Sequence, residues 1–348
     1  MNIGHLASSK TRLTVVAAAV GLALAGLAGP AAAVETAGNG IYNVAIQSPT
    51  ETQDGSWSAA TAASHPVGTG HDILYVETGG SFINTTNFSS LQVSTAGAGP
   101  TTYAFGGRGG ALDLDTYVTG QGVSAYSANG FQTTWNVTPS GVAVTQDVFV
   151  VGTTFANSAI YHTVQITNTG NGAVNIGWRN LYDWQVDDPN RDDGPSNSIE
   201  TTGGVVVAAT TLEFSHTPAA GEFARVRIAP GTSTYEPLLA LGYDPGYVAS
   251  LPVTLPDAYL YVSWPVSYGT AFAYTVDPAR DVTSDSAGLS YFAASLAAGE
   301  SARFTQILFG VPGGEPPPNG APIPGPLALL GIGLVSMMTV LRRRRLAA

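Results

Sequence analysis

The residue types best suited to chemistry are concentrated in one acidic segment. Five aspartates lie within eleven positions of the sequence: Asp183, Asp187, Asp188, Asp192 and Asp193. Carboxylates this close repel one another unless water, a cation or an arginine offsets their charge. Ca²⁺ takes about six to eight oxygen ligands, so the segment is a candidate calcium site, although its spacing differs from that of an EF-hand loop. The alternative is a solvated acidic turn between strands.

The same acidic segment is also the candidate active site if the protein is an enzyme. Glycoside hydrolases use two carboxylates as acid and base, and Asp183 and Asp187 could form such a pair beside Trp184 as a sugar platform. The sequence contains neither the HExxH spacing of zinc proteases nor a Gly-x-Ser-x-Gly elbow. We therefore assign no catalytic residue, and we expect the histidines on the surface or in cross-strand pairs. Trp178 and Trp184 are expected to pack in the core or at an edge.

The elements that must position these residues are predicted to be strands. Val142–Val151 and Ala159–Thr167 alternate apolar and polar residues, and the turn Asn168–Gly172 precedes Ala173–Trp178, which predicts a β-hairpin. Further strands are predicted at Ile41–Gln47, Asp72–Glu77, Ala111–Val118, Phe131–Val137, Val205–Ala209, Phe223–Ile228, Tyr259–Ser263, Leu289–Ala294 and Ala302–Gly310. Many short strands without alternating helices predict an all-β fold, an antiparallel β-sandwich that is either large or double.

Composition excludes several classes of function. Six of the 13 basic residues lie near the two termini, which leaves seven arginines, no lysine and 24 acidic residues between them, a balance of −17. Such a charge repels nucleic acid, so nucleic-acid binding is excluded. The absence of cysteine excludes thiol catalysis, thiolate metal sites and disulfides.

The N-terminus has the pattern of a secretory signal peptide. Lys10 and Arg12 precede an apolar run from Leu13 to Leu27. Small residues suited to signal peptidase follow, so we expect cleavage after the third of three alanines, in a site formed by Ala31, Ala33 and Val34.

A second apolar stretch, from Leu327 to Leu341, lies close to the C-terminus. It is preceded by a proline-rich motif that includes Pro322, Pro324, Gly325 and Pro326, and it is followed by the cluster Arg342, Arg343, Arg344 and Arg345. The stretch predicts a single transmembrane helix, and the arginines keep its C-terminal end in the cytoplasm. Because both termini lie inside, the region between them is expected outside.

This ordered set of proline motif, apolar helix and arginine cluster resembles the PEP-CTERM sorting signal of exosortase substrates. The resemblance covers the tail alone, and Pro322-Ile323-Pro324 stands where the family has Pro-Glu-Pro. It implies processing by an exosortase-like transpeptidase, anchoring in the inner membrane during transit, and a final place on the cell surface or in the extracellular matrix. It also implies extracellular polysaccharide as a partner. A plain C-terminal transmembrane anchor is the alternative.

These signals divide the chain into four parts. They are a signal peptide over 1–33, an extracytoplasmic β-sandwich domain over 34–311, a Pro/Gly-rich spacer with the sorting motif over 312–325, and a transmembrane helix with an arginine-rich end over 326–348. The sequence favours a non-enzymatic surface or matrix protein that binds glycan. The alternatives are a polysaccharide-acting hydrolase or lyase on a β-sandwich scaffold, and a structural domain that Ca²⁺ rigidifies.

Overall fold

The computed structural model describes residues 34–47, 55–66, 68–78, 83–85, 87–114, 122–127, 129–185, 197–201, 206–220, 222–226, 235–241 and 253–312. The signal peptide, the sorting motif and the C-terminal helix of the sequence analysis lie outside these residues, apart from Val34, which begins the first strand. Within the described part, no helix is both long and apolar enough to cross a membrane.

Most of the described chain is β-strand. In chain order the strands are β1 (Val34–Gly38), β2 (Tyr42–Gln47), β3 (Trp57–Thr61), β4 (Asp72–Leu74), β5 (Val76–Thr78), β6 (Ile83–Thr85), β7 (Phe88–Thr95), β8 (Thr101–Ala104), β9 (Leu112–Asp113), β10 (Gly122–Ser127), β11 (Gly130–Val137), β12 (Val142–Val151), β13 (Ala159–Asn168), β14 (Val174–Asp183), β15 (Asn197–Thr201), β16 (Val206–Thr210), β17 (Phe214–His216), β18 (Glu222–Val226), β19 (Tyr235–Leu241), β20 (Ala258–Ser263), β21 (Ser286–Leu296) and β22 (Ser301–Pro312). The helical elements are α1 (Trp264–Tyr268) and 3-10 turns at Phe105–Gly110, Thr138–Ser140 and Phe155–Asn157.

Two large sheets dominate the described residues. One has nine strands in the order β10-β11-β12-β13-β22-β19-β18-β15-β16, and the other has seven in the order β17-β20-β21-β14-β7-β8-β9. A four-stranded sheet, β1 to β4, and the ribbon β5-β6 complete the set. Among the described strands every pairing is antiparallel except that of β8 with β9. The all-β, mainly antiparallel architecture predicted from the sequence is therefore confirmed.

The two large sheets face each other across an apolar core. Alternate residues of β12 and β13 point inward, as the period-two pattern of the sequence predicts, and Trp178 of β14 is completely buried between the sheets. Phe292 of β21 and Phe304 of β22 stack with ring centroids 4.9 Å apart. Burial of each such large apolar side chain contributes about 1.5–3 kcal/mol.

The predicted hairpin around Asn168–Gly172 is wrong. β13 pairs with β12 and β22 in the nine-stranded sheet, whereas β14 pairs with β21 and β7 in the seven-stranded sheet. The turn therefore crosses from one sheet to the other. Both strands bury an apolar face, and these faces oppose each other across the core instead of lying side by side.

A second crossing, from β21 to β22, lies against the first. The backbone N–H of Asn168 donates to the carbonyl of Glu300 at 2.9 Å, and Gly299 N–H donates to the carbonyl of Asn168 at 2.9 Å. The Asn168 side chain also donates to the carbonyls of Gly172 and Leu296, at 2.7 and 3.1 Å. Asn168 thus ties the two crossings together.

One long connection covers the outer face of the seven-stranded sheet, the face turned away from the nine-stranded sheet. This strap, residues 264–285, joins β20 to β21 and contains α1, irregular backbone and an isolated bridge from Asp281 to Leu212. Connections of this length without strands are uncommon in compact domains and are usually functional. The length of the strap therefore favours a functional role for this part of the outer face.

Candidate functional site

The acidic segment of the sequence analysis is only partly described. Asp183 ends β14 and is 3% exposed, and its backbone N–H donates to the Asn87 side chain at 2.6 Å. Trp184 beside it is completely buried, so the two residues do not form an accessible sugar platform. Asp187, Asp188, Asp192 and Asp193 lie outside the described residues, and so the calcium site stays a prediction. Among residues that are described, no group of three His, Asp or Glu side chains is placed to hold a metal ion.

The histidines are more buried than expected. His162 is 1% exposed inside the sandwich, and His65 is 4% exposed against the rings of Tyr42 and Phe155. The expectation of surface or cross-strand histidines was wrong for His65. His162 does contact a neighbouring strand, through Gln146 of β12, but it is buried, because period-two reasoning cannot distinguish an inward polar residue from an outward one. His216 of β17 is partly buried and contacts Glu222 of β18 at 2.6 Å, although these two strands belong to different sheets.

His162 joins a polar network at the centre of the core. The amide nitrogen of Gln146 donates to the carbonyl of Gly55 at 2.7 Å, so its oxygen faces His162 Nε2 at 3.1 Å. Since that oxygen can only accept, Nε2 carries the hydrogen and Nδ1 accepts from the Tyr182 hydroxyl at 2.6 Å. Burial lowers the pKa of His162 to about 3 and raises the pKa of Tyr182. Both groups are neutral at pH 7.

The network continues through Asn180 and Gln306. Asn180 donates to the Gln306 amide oxygen at 2.7 Å, and Gln306 donates to Ser290 at 2.8 Å. The oxygen of Asn180 accepts from Trp178 Nε1 and from the Ser89 hydroxyl, at 2.7 and 2.9 Å. All of these side chains are buried. The network therefore aligns the two sheets and is out of reach of a substrate.

Arg179 holds the middle of the strap against the outer face. Its Nη1 donates to Thr270 Oγ1 at 2.9 Å and to the Phe272 carbonyl at 3.1 Å. Its Nη2 donates to the Thr270 carbonyl at 2.9 Å and to the Ser90 hydroxyl at 3.1 Å. Arg179 is completely buried, and burial lowers the pKa of its guanidinium. Three of its four acceptors belong to the strap.

Glu213 holds the end of the strap. One carboxylate oxygen accepts from Ser263 N–H, the Tyr274 hydroxyl and Arg280 Nη1, at 3.0, 2.5 and 2.7 Å. The other accepts from Asp277 N–H at 2.8 Å. The Glu213 side chain is fully buried, whereas that of Arg280 is 31% exposed. This arrangement satisfies the carboxylate completely, so it is a structural anchor.

Beside the strap lies an open depression, the outer-face pocket, with a volume of about 240 Å³. The residues that give it its chemistry are Gln92, Ser94, Asn175, Asp257, Phe272 and Tyr291. Gln92 and Ser94 project from β7, and Asn175 projects from β14 opposite Ser94. Three adjacent strands thus form the floor of the pocket, and the strap contributes Phe272 to its wall.

The aromatic wall of the pocket is fixed by hydrogen bonds. Phe272 and Tyr291 meet edge to face with centroids 5.5 Å apart, and the Tyr291 hydroxyl donates to the Phe272 carbonyl at 2.7 Å. Burial raises the pKa of Tyr291, and nearby Arg179 opposes that shift. Asp257 is exposed, and its backbone N–H donates to the carbonyl of Tyr291 at 2.8 Å. A free carboxylate, two amides and two rings therefore share one pocket.

Sequence reasoning missed the residues of this pocket. The alternation of Ser90, Gln92 and Ser94 along β7 places polar groups on one face, and it could have marked that face as a polar surface. The contribution of Phe272 had no signal in the sequence, because it depends on the path of the strap.

Comparison with known proteins finds solved structures of similar fold but no family to which the chain can be assigned. No family model matches the chain, and no curated protein matches it. Among solved structures, it is similar to a galactose mutarotase related enzyme from Lactobacillus acidophilus, with 7% identity, a TM-score of 0.48 and coverage of 82% of this chain and 99% of that one. It is also similar to an aldose epimerase homologue from C. elegans, with 11% identity, a TM-score of 0.46 and coverage of 80% and 99%. A polysaccharide lyase gives 9% identity and a TM-score of 0.41, with 80% of this chain matching 33% of that one.

These neighbours contradict the prediction of a non-enzymatic protein, because they are described as enzymes or enzyme homologues of carbohydrate chemistry. We correct that prediction here, and the alternative of a polysaccharide-acting enzyme agrees with them better. The neighbours are too remote to identify a residue or a reaction in this chain.

Proposed function

We propose that this chain is an exported carbohydrate-acting enzyme whose sugar binds in the outer-face pocket. The observation that carries the proposal is that Asp257 shares one pocket with the amides of Gln92 and Asn175 and the rings of Phe272 and Tyr291. Amides pair with sugar hydroxyls, and aromatic rings pack on the apolar C–H face of a sugar. The carboxylate supplies the group that can move a proton.

Asp257 is the residue to which we assign proton transfer. It is exposed at the pocket, where a carboxylate can act as a general base on bound substrate. Hydrolysis by a carboxylate pair needs a second group roughly 5–10 Å away. Among the pocket residues that the structure describes, Asp257 is the single carboxylate. A reaction served by one base, as in a lyase, is therefore favoured over hydrolysis by a pair.

The test is a polysaccharide panel with two readouts, new reducing ends for chain cleavage and ultraviolet absorbance of an unsaturated sugar for elimination. Asp257→Asn should lower the rate by about 10²–10⁴-fold while sugar binding persists. Asp281→Asn is the matched control, because Asp281 is exposed and near the start of β21, far along the strand from the pocket. Full activity in Asp257→Asn, or no activity and no binding across the panel, would overturn the proposal.

Export and sorting form the second part of the proposal. The signal peptide ending at Ala33, the motif Pro322–Pro326 and the cluster Arg342–Arg345 support display on the cell surface or in the matrix. Intact-mass analysis of the native protein tests both steps. A species that starts at Val34 and ends near the proline motif is expected. Retention of the four arginines would reduce the tail to a plain anchor.

A further inference from the structure

Arg179 is a buried cation that forms no ion pair with a carboxylate among the residues that the structure describes. All four of its hydrogen bonds go to neutral oxygens, and its Nε is buried with no partner. Removing a guanidinium from water is costly unless a carboxylate or another anion compensates it. The contacts of Arg179 therefore satisfy four of its five N–H groups, and the Phe88 ring lies 5.6 Å from its guanidinium carbon, but no described carboxylate pairs with its charge.

This cation lies directly behind the outer-face pocket. Arg179 is two residues from Gly177 on the same face of β14, about 7 Å along the strand, and its register partner on β21 is Tyr291. The Phe272 carbonyl accepts from both Arg179 Nη1 and the Tyr291 hydroxyl. A single carbonyl group of the strap thus links the guanidinium to the aromatic wall of the pocket.

We propose that Arg179 selects an acidic sugar. The carboxylate of a uronic acid bound in the pocket takes the place of the oxygens of Thr270 and Phe272 on the guanidinium, and the strap moves away locally. Planar guanidinium and carboxylate groups match in a bidentate pair, and such charge-assisted bonds are stronger than bonds to neutral carbonyls. This inference rests on the proposed function and assigns its substrate class.

The acidic surface of the domain does not exclude such a ligand. The excess of carboxylates repels a polyanion at long range, but salt screens this repulsion beyond about 8–10 Å. A guanidinium–carboxylate pair in a buried site is screened far less. We therefore expect the affinity for a uronate oligosaccharide to rise when salt is raised from low to physiological concentration.

The first test uses the unmodified protein with uronate oligosaccharides and their neutral counterparts of the same linkage, measured by calorimetry. The acidic sugar should bind at least about tenfold more tightly. In hydrogen exchange, the acidic sugar alone should accelerate exchange at the amides around Thr270–Phe272. Equal or tighter binding of the neutral sugar would overturn this inference and leave the proposed function standing. Failure of both sugars to bind would overturn both.

The second test separates the charge of Arg179 from its geometry. Arg179→Lys keeps the charge but not the planar fork, so it should lose most of the preference for the acidic sugar, and Arg179→Gln should lose all of it. Arg303→Lys is the matched control, because Arg303 is 41% exposed on β22 of the other sheet. Preserved preference in folded Arg179→Gln would contradict the inference. If these variants do not fold, the exchange experiment on the unmodified protein decides.

Discussion

His162 Nδ1 and the Tyr182 hydroxyl lie 2.6 Å apart and join the two large sheets at the centre of the sandwich. His162 belongs to β13 and Tyr182 to β14, strands that a turn connects in sequence but that lie in different sheets. Burial favours the neutral imidazole, whose Nδ1 accepts a hydrogen bond from the hydroxyl. It therefore links the alignment of the sheets to the protonation of one histidine.

The first prediction concerns the dependence of stability on pH. The pKa of His162 falls from 6.5 to about 3 on folding. Between these two pH values His162 is therefore protonated in the unfolded chain and neutral in the folded protein. Stability is fully present above pH 6.5 and is lost as pH falls toward 3, by up to about 1.4 kcal/mol per pH unit from this group. Denaturant titrations between pH 7.5 and 4.5 measure the slope.

Variants of the pair identify the group responsible. His162→Gln should lower the free energy of unfolding at pH 7.5 by about 1–3 kcal/mol. It should also reduce the slope of that free energy against pH by the amount that corresponds to one bound proton. Tyr182→Phe keeps the histidine and should keep the slope. An unchanged slope in His162→Gln would mean that the histidine is already protonated or exposed in the folded state.

The second prediction concerns the two crossings between the sheets. Asn168→Ala removes the side chain that bonds to Gly172 and Leu296 and leaves their carbonyls without this donor. The free energy of unfolding should fall by about 1–3 kcal/mol. Asn171→Ala, at an exposed position of the same turn, should change stability by less than about 0.5 kcal/mol. Equal effects of the two variants would show that Asn168 does not tie the crossings.

The third prediction concerns the anchor at the end of the strap. Glu213→Gln removes the charge facing Arg280 and turns an N–H donor toward groups that themselves donate. We expect a loss of about 2–4 kcal/mol and faster proteolysis within residues 264–285. Glu300→Gln, an exposed carboxylate in the β21–β22 turn, is the control. Unaltered proteolysis of the strap in Glu213→Gln would show that other contacts hold it.

The fourth prediction concerns the floor of the outer-face pocket. A Cβ added at Gly177 would lie 2.7 Å from the tip of the Phe272 ring, and a ring tip can shift without moving the backbone. Gly177→Ala should therefore weaken sugar binding by roughly tenfold and lower the free energy of unfolding by no more than about 1–3 kcal/mol. Gly172→Ala, whose Cβ would meet nothing within 4 Å, is the control for sugar affinity. Unchanged affinity in Gly177→Ala would place the sugar elsewhere.

The strands were predictable because their signal is local. β11 and β12 match the predicted ranges closely, since alternating side chains on one buried face leave a period-two pattern. The pairing of β13 and β14 was not predictable, because a short turn with Asn and Gly serves a hairpin and a crossing between sheets equally well. Which one forms depends on partners such as β22, more than a hundred residues away.

The site was less accessible to sequence reasoning than the fold. The cluster of carboxylates in the sequence indicated Asp183, which is buried in the structure. Asp257 has no acidic neighbour in the sequence, because it lies between a proline and an apolar strand. The sequence gives no sign that Asp257, Asn175 and Phe272 meet, because they come from three separate elements. Arg179 has no local signal either, since the strap that covers it lies about ninety residues further along the chain.

The direction of the last strand has a consequence for how the domain would stand on a cell. The pocket lies where β14 begins and β21 ends, next to the turn that precedes β22. The twelve residues of β22 then run to Pro312, about 36 Å from the start of the strand. A domain attached through the chain that follows Pro312 would therefore have the pocket at the end of β22 opposite to that attachment.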